Sequence, residues 1–276
     1  MVWILFTSLG LIFWVGLALK CRVRYILSFK ICVFVSVSAA CIMTILENLF
    51  LAIHPLLEIA LVVGIFGAVS ICTVLWHFYR DSERKLPEQN NVILSPADGT
   101  VRYIKKIKMG EIPFSTKQQR NYRLDDVTKT QLLKDGSHLI GVEMHILNVH
   151  VNRAPVSGRI ILQQPSKGKF LSLRNIQSVF QNERVTTVID QGGFQIGVVQ
   201  IASRLVRRIV SYHKEGDRVQ KGQRIGMIKF GSQVDVVIPK LTGLEILVHE
   251  GETVTAGKTI LGVYNEIANQ QEQGLS

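Results

Sequence analysis

Three apolar stretches at the amino terminus constrain this chain more than any other feature. They cover residues 1–19, 31–53 and 55–76, and a helix needs about 20 apolar residues to cross a bilayer. Residues 1–77 contain only four basic and two acidic residues, which is too few to coat a soluble domain. We therefore predict a membrane anchor of three helices over 1–77 and a soluble catalytic domain over 78–276. The alternative is a buried helical core.

Basic residues beside these stretches predict the side of the membrane on which the soluble domain lies. Lys20, Arg22, Arg24 and Lys30 separate the first two stretches, and a second basic group follows the third. Cytoplasmic loops of membrane proteins are enriched in lysine and arginine. We therefore expect the soluble domain at the cytoplasmic face of the cell membrane, whether or not the first stretch spans the bilayer.

Short apolar runs separated by glycines characterise the soluble part. The runs are 92–94, 100–104, 139–142, 185–189, 196–201 and 225–228. Their alternation and their β-branched residues are typical of strands. We predict a mostly β domain, an antiparallel barrel or sandwich. All four cysteines precede residue 78, so the soluble part has no thiolate metal site or disulfide framework, and no metal is expected.

An internal repeat supports this fold class. The spacing Gly-x-x-Val-x-x-Gly-x-x-Ile occurs at 216–225 and again 35 residues later at 251–260. The pattern resembles the half-barrels of lipoyl and biotinyl carrier domains. A carrier would need a modified lysine at an exposed hairpin tip, whereas Lys229 continues an apolar run. The repeat therefore indicates a fold, and modification of Lys229 is not expected.

Three motifs carry the candidate chemistry. They are Ser-Pro-Ala-Asp-Gly-Thr at 95–100, Asn-Val-His-Val-Asn-Arg-Ala-Pro at 148–155 and Phe-Gly-Ser-Gln-Val-Asp at 230–235. A glycine before a serine tolerates a strained backbone and leaves its carbonyl open to attack by the serine hydroxyl. That attack needs a histidine or carboxylate to activate the hydroxyl. The ordinary alternative is a strand bulge with a solvent-facing serine.

In this order the three motifs resemble those of the phosphatidylserine decarboxylases, particularly the short, archaeal-type branch. The resemblance runs from about residue 78 to 239. It implies a proenzyme that cleaves itself between Gly231 and Ser232, giving a β chain, 1–231, and an α chain, 232–276. Apart from the resemblance, we predict that the α chain stays bound to the β chain after cleavage, because so short a segment rarely holds a stable core alone.

The resemblance further implies a covalent pyruvoyl cofactor derived from Ser232. An acyl shift to the serine oxygen, elimination and hydrolysis would leave pyruvoyl and release ammonia. The ketone then condenses with the amine of phosphatidylserine, and the resulting imine withdraws electrons so that carbon dioxide can leave. The product is phosphatidylethanolamine. A nearby acid reprotonates the carbon.

The resemblance assigns His150 as the general acid or base and Asp98 as an aid to processing. His150 matches the first histidine of the family pattern Tyr-His-Arg-Val-His, whereas the second histidine falls on Arg153. Asn148 stands where an aspartate is common. These departures leave open which residue activates Ser232. For Asp98 the alternative is a turn aspartate that caps its own backbone.

Charge predicts an anionic partner. Residues 78–231 carry 26 basic and 13 acidic residues, whereas 232–276 carry two and six. Basic residues near a membrane attract anionic headgroups; the candidates are Arg102, Lys105, Lys106, Lys108, Arg204, Arg207 and Arg208. Nucleic acid fits the charge alone, but no recognition motif accompanies it, so no nucleic-acid partner is expected. A homo-oligomer is left open.

Three alternatives to this function are also open. One is a non-enzymatic membrane adaptor or carrier built on lipoyl-like half-barrels. Another is an inactive family relative, because of the departures at Asn148 and Arg153. A third is a related pyruvoyl decarboxylase acting on another serine-headed lipid. On a denaturing gel the adaptor would give one band and the enzyme two.

Overall fold

The chain divides into a helical unit and a β unit in the computed structural model. The described residues are 8–16, 25–49, 55–81, 83–106, 136–145, 147–168, 182–202, 209–229 and 232–265. The first unit contains those up to Arg80, with His145 and Leu147, and the second contains the rest.

The helical unit contains two long apolar helices. Helix α1 spans Tyr25–Leu49 and helix α2 spans Pro55–Tyr79. The windows Phe29–Leu46 and Ile59–Trp76, with mean hydropathies of 2.2 and 2.4, are long and apolar enough to cross a membrane. They match the second and third predicted stretches. Helix α1 begins before the predicted residue 31, because no glycine or proline interrupts the preceding six residues.

The first predicted stretch is only partly described. Residues 8–16 are helical, and the remainder of 1–19 lies outside the described residues. Helices α1 and α2 share one apolar cluster that includes Val35 and Met43 of α1 and Val62 and Phe66 of α2. Such packing of two helices is what a membrane hairpin requires.

The β unit has fourteen strands among its described residues, and every pair is antiparallel. The strands are β1 (Val92–Leu94), β2 (Gly99–Lys106), β3 (His138–Met144), β4 (Val151–Arg153), β5 (Gly158–Ser166), β6 (Arg184–Asp190), β7 (Gln195–Ala202), β8 (Ile209–Ser211), β9 (Arg218–Val219), β10 (Arg224–Ile228), β11 (Ser232–Ile238), β12 (Glu245–Ile246), β13 (Thr253–Val254) and β14 (Ile260–Val263). The prediction of a mostly β, antiparallel domain is confirmed.

The order of the strands reveals an internal duplication. Eight strands form one sheet in the order β13-β2-β3-β11-β7-β6-β5-β9, flanked by the sheets β1-β14-β12 and β4-β10-β8. Strands β4 to β10 form one copy, the inner repeat. Strands β1 to β3 and β11 to β14 form the other, the outer repeat. Each strand of one repeat has an equivalent in the other, so the inner repeat is inserted between β3 and β11.

Irregularities in the ladders confirm the equivalence. The pairing of β2 with β3 shifts register between Val101 and Tyr103. The pairing of β5 with β6 shifts at the equivalent place, between Ile160 and Leu162. A bulge in one antiparallel ladder is a specific local feature. Two bulges at matching positions indicate that the two repeats share one backbone design.

The turns of the two repeats close with matching hydrogen bonds. The amide of Gly222 donates to the carbonyl of Ala154 at 2.8 Å, and the amide of Gly257 donates to the carbonyl of Ser95 at 2.9 Å. These glycines are the second glycines of the two sequence repeats. The repeat predicted from the sequence is therefore one part of a larger duplication.

Apolar side chains from both repeats form one core. Val101, Val236 and Val254 of the outer repeat and Ile160 and Ile225 of the inner repeat are all buried in it. Burial of each such side chain contributes about 1.5–3 kcal/mol. The carboxy-terminal strands are therefore integral to the fold, and they come from the segment predicted to become the α chain.

Gly158 should not tolerate a side chain. A Cβ there would lie 2.7 Å from the carbonyl carbon of Asp190 and closer still to its oxygen. We expect Gly158→Ala to lower the free energy of unfolding by about 1–3 kcal/mol, the usual effect of overpacking. The measurement is thermal unfolding in detergent. Arg159→Ala, at an exposed neighbour, is the control and should change stability by less than about 0.5 kcal/mol. Equal stability of the two variants would contradict the close approach.

Candidate active site

Ser232 is the first residue of an interior strand. Its backbone pairs with Met144 of β3 on one side and with Ala202 of β7 on the other. Gly231, on the other side of the predicted cleavage site, lies outside the described residues. The chain therefore enters the centre of the large sheet at the predicted cleavage site.

His150 is fully buried near the same junction. Its carbonyl accepts a hydrogen bond from the amide of Ile228 at 3.2 Å, and Ile228 ends β10 four residues before Ser232. The imidazole Nδ1 lies 2.8 Å from the carbonyl oxygen of Asn148. Because a carbonyl only accepts, Nδ1 carries a proton and Nε2 is the ring atom suited to proton transfer.

Asn148 contributes its backbone rather than its side chain to this contact. The family pattern more often has an aspartate at this position. A backbone carbonyl is present whatever the side chain, so the departure leaves the orientation of His150 unchanged.

Asp98 is held by two different partners. Its Oδ1 accepts from the amide of Ala256 at 2.8 Å, and its two oxygens accept from Arg84 at 2.5 and 2.9 Å. The alternative of a cap on its own turn is wrong, since the turn that it caps is the one between β13 and β14. In the inner repeat the equivalent contact runs from the amide of Lys221 to Ser157 Oγ, at 2.8 Å. The backbone contact is therefore architectural, and the ion pair is specific to Asp98.

Asp98 and Ser232 lie at the same end of the sheet. Thr100 of β2 pairs with Glu143 of β3, and the next residue, Met144, pairs with Ser232. Strand β3 separates them. Neighbouring strands are about 4.8 Å apart, so the two backbones are about 10 Å apart. The structure thus brings Asp98 and Ser232 to one end of the large sheet, and it connects His150 to the end of β10, the strand that precedes Ser232 in the chain.

Arg153 has a structural partner set of its own. Its guanidinium pairs with Asp81 at 3.1 Å and donates to the carbonyl of Gly222 at 2.9 Å. Burial lowers the pKa of Arg153, and the charge of Asp81 opposes that change. A guanidinium has no acceptor atom, so Arg153 cannot take the role of a general base that a histidine at this position would have.

The sequence alone did not identify a group of acidic and basic residues that form ion pairs around Asp98 and Arg153. Arg224 is hydrogen-bonded to Asp81 and pairs with Glu83 at 2.7 Å. Asp81, Glu83 and Arg84 follow helix α2 in the chain. Only the folded chain shows that Arg84 pairs with Asp98 and that Asp81 pairs with Arg153.

A second buried polar group was also missed. Asp235 is fully buried and accepts hydrogen bonds from Tyr103 Oη at 2.7 Å and from Gln233 Nε2 at 2.6 Å. Burial raises its pKa to about 6, against the opposing effect of those donors and of Arg184 and Arg102. The available signal was a charged residue flanked by valines in an apolar strand.

Only some of the basic residues predicted to face lipid headgroups lie among the described residues. Arg102 is half-buried and donates to Gln233 at 3.3 Å, and its role in facing lipid stays a prediction. Lys108, Arg204, Arg207 and Arg208 lie outside the described residues. Among the described residues there is no group of three or more histidine, cysteine, aspartate or glutamate side chains arranged to hold a metal ion.

Known proteins with similar sequences identify the family. The profile of the phosphatidylserine decarboxylase family matches residues 73–262. A Methanocaldococcus jannaschii protein, provisionally named an archaetidylserine decarboxylase proenzyme, is 41% identical over 203 residues, which cover 72% of this chain and 95% of that protein. The phosphatidylserine decarboxylase proenzyme of Geotalea uraniireducens is 38% identical, covering 67% and 77% of the two chains. That of Trichlorobacter lovleyi is 37% identical, covering 77% and 88%. This chain belongs to the phosphatidylserine decarboxylase family.

Proposed function

We propose that this protein is a phosphatidylserine decarboxylase proenzyme that cleaves itself between Gly231 and Ser232 and uses the resulting pyruvoyl group to make phosphatidylethanolamine. The observation that carries the proposal is the position of Ser232. It begins an interior strand, close in the chain to the segment that contacts the buried His150.

Cleavage before Ser232 is compatible with the fold. Strand β11 is paired along its length with β3 and β7, so a cut before its first residue removes none of those pairs. A new amino terminus therefore stays at the end of a fixed strand. The residues present fit a pyruvoyl group at this position.

His150 serves the reaction on the substrate in this proposal. The pyruvoyl group supplies an electron sink once its ketone has reacted with the substrate amine. Nε2 of His150 is the ring atom through which the proton moves, with the ring oriented through Nδ1 by the carbonyl of Asn148. Because His150 is buried, its imidazole is kept away from water. It delivers a proton to the substrate carbon from which carbon dioxide has left.

Asp98 serves processing through its charge. The ion pair with Arg84 fixes the carboxylate near the end of the sheet where Ser232 begins β11. The equivalent residue of the inner repeat, Ser157, makes only the backbone contact. We infer that the additional charge of Asp98 belongs to the chemistry of the outer repeat.

The substrate carries a serine headgroup on a membrane lipid. Family relatives are named for phosphatidylserine, and one is provisionally named for archaetidylserine. Archaetidylserine is therefore the second candidate substrate. The two long apolar helices support a location at the membrane, and the basic loops favour a catalytic domain on its cytoplasmic side. We further propose that the β unit consists of two lipoyl-like half-barrels, a fold that the duplicated strand order supports.

Replacement of Ser232 should abolish processing. We expect Ser232→Ala to give one full-length band on a denaturing gel, whereas the native chain gives fragments of 231 and 45 residues. The reason is that alanine has no hydroxyl to form the ester. Ser166→Ala, on strand β5, is the matched control and should be cleaved normally. Cleavage of Ser232→Ala into the same two fragments would refute the assignment.

Variants of His150 and Asp98 should affect different steps, lipid turnover for His150 and self-cleavage for Asp98. His150→Ala should lower lipid decarboxylation at least about 100-fold, the effect of losing a general acid. Asp98→Asn keeps an acceptor for the Ala256 amide but loses the charge, and it should accumulate precursor. The measurements are radiolabelled carbon dioxide release and band intensity with time. Ser157→Ala removes only the equivalent turn contact and should be cleaved like the native chain. Normal cleavage and turnover in both site variants would remove these residues from the site.

The α chain should remain bound after cleavage. Its strands β11, β13 and β14 pair with β3, β2 and β1 of the β chain, and a segment of 45 residues rarely holds a core alone. Purification through a tag on the β chain, in mild detergent at high salt, should recover both fragments in equal amounts. Activity of the β chain after loss of the α chain would contradict the pyruvoyl mechanism.

A further inference from the structure

The face of the large sheet that carries Asp235 has a polar bridge in one repeat only. In the outer repeat, Tyr103 of β2, Gly141 of β3 and Asp235 of β11 lie side by side in register. The Tyr103 hydroxyl donates to Asp235 at 2.7 Å. The bridge therefore joins two strands that do not pair with each other, across the strand between them.

Gly141 makes this reach possible. A Cβ at residue 141 would lie 2.5 Å from the Tyr103 ring. The ring therefore lies directly over the backbone of β3, where any other residue would displace it. Gln233 completes the group, because its Nε2 donates to Tyr103 Oη at 2.8 Å and to Asp235 at 2.6 Å.

The inner repeat shows that the fold does not need this bridge. Its equivalent row is Leu162, Val188 and Gly197, also side by side in register. The same backbone is therefore built there with apolar residues alone. Burying a carboxylate costs free energy even when it is hydrogen-bonded. The requirements of the fold therefore do not explain why Tyr103 and Asp235 occupy this row in the outer repeat.

The reason is the difference between β11 and its equivalent, β7. Strand β7 remains covalently joined to the chain before it. Under the proposed function, on which this inference rests, β11 loses that connection when the bond before Ser232 is cut. We propose that the Tyr103–Asp235–Gln233 bridge is the anchor that fixes the newly cut strand of the α chain against the β chain, and so positions the residue at 232 for turnover.

Electrostatics around the bridge agree with this role. The charged groups that act on Asp235 are Arg102 of β2 and Arg184 of β6, and both favour the ionised carboxylate. Burial raises the pKa of Asp235 to about 6. At neutral pH the carboxylate therefore accepts from both donors. As the pH falls through about 6, a proton occupies one acceptor position of the carboxyl group, and the hydrogen bonds from Tyr103 and Gln233, which favour the ionised form, weaken.

The decisive variant is Tyr103→Phe, which removes one hydroxyl from the bridge. Cleavage should proceed as in the native chain, because the uncut strand is held covalently. In the cleaved enzyme kcat should fall at least about fivefold with little change in KM. The acid limb of the kcat profile should move to higher pH, because loss of the Tyr103 hydrogen bond raises the pKa of Asp235 further. Asp235→Asn should also lower kcat, and the double variant should be no slower than the slower single variant.

Two controls separate anchoring from general destabilisation. Tyr264→Phe removes another buried tyrosine hydroxyl, which accepts from Gln191 at 3.2 Å, and should leave kcat unchanged. Hydrogen exchange supplies a direct readout. Amides of β11 should exchange faster in cleaved Tyr103→Phe than in the cleaved native enzyme. In the uncleavable Ser232→Ala background, Tyr103→Phe should change their exchange much less.

Each outcome decides the matter. Native kcat, native pH profile and native exchange in cleaved Tyr103→Phe would overturn the anchor while leaving the proposed function intact. An equal increase in exchange in cleaved and uncleaved chains would show a purely structural bridge and would also overturn it. If the native protein neither cleaves nor decarboxylates, the proposed function itself fails, and that is seen before any bridge variant is compared.

Discussion

The pairing of β7 with β11 is the interaction on which the rest of the β unit depends. These strands meet at the centre of the eight-stranded sheet, paired from Ser232 to Val237. They are also the place where the inner and outer repeats join. Every other strand of the sheet is added outward from this pair, in the same order on each side. The backbone of Ser232, at the start of β11, is therefore held by the most interior part of the sheet.

Duplication explains how such a fold accommodates chemistry. The position equivalent to Ser232 in the inner repeat is Phe194, by the register of the neighbouring strands. Its ring packs edge-on against Tyr264, with centroids 5.0 Å apart. The position equivalent to His150 is Asn91, whose carbonyl accepts from the amide of Tyr264 at 3.1 Å. The region related by the duplication to the candidate site is thus formed by Phe194, Tyr264 and Asn91 and contains aromatic rings, so the two regions differ in the side chains that occupy equivalent positions.

The sequence predicted the parts of this structure that depend on local patterns. Alternation located most long strands, and the 35-residue repeat was visible because its turns keep glycines at positive φ, such as Gly222 at 77° and Gly257 at 71°. The remaining duplication was hidden, because its strands have diverged in side chain and are separated by unequal distances in the chain. The ion pairs of Arg84 with Asp98 and of Asp81 with Arg153 depend on the tertiary fold, so no local sequence pattern predicted them. The Tyr103–Asp235 bridge required knowledge of which strands flank Gly141.

The insertion of one repeat into the other also sets an order of events during synthesis. The inner repeat is continuous from β4 to β10, whereas β1 and β2 need β14 and β13 as partners. Domains generally fold from the amino terminus as the chain is made, and distant pairings form late. The outer repeat, to which residue 232 belongs, is therefore complete only after β13 and β14 have been synthesised. If the proposed self-cleavage needs the complete repeat, a chain that stops before these strands keeps the peptide bond before Ser232.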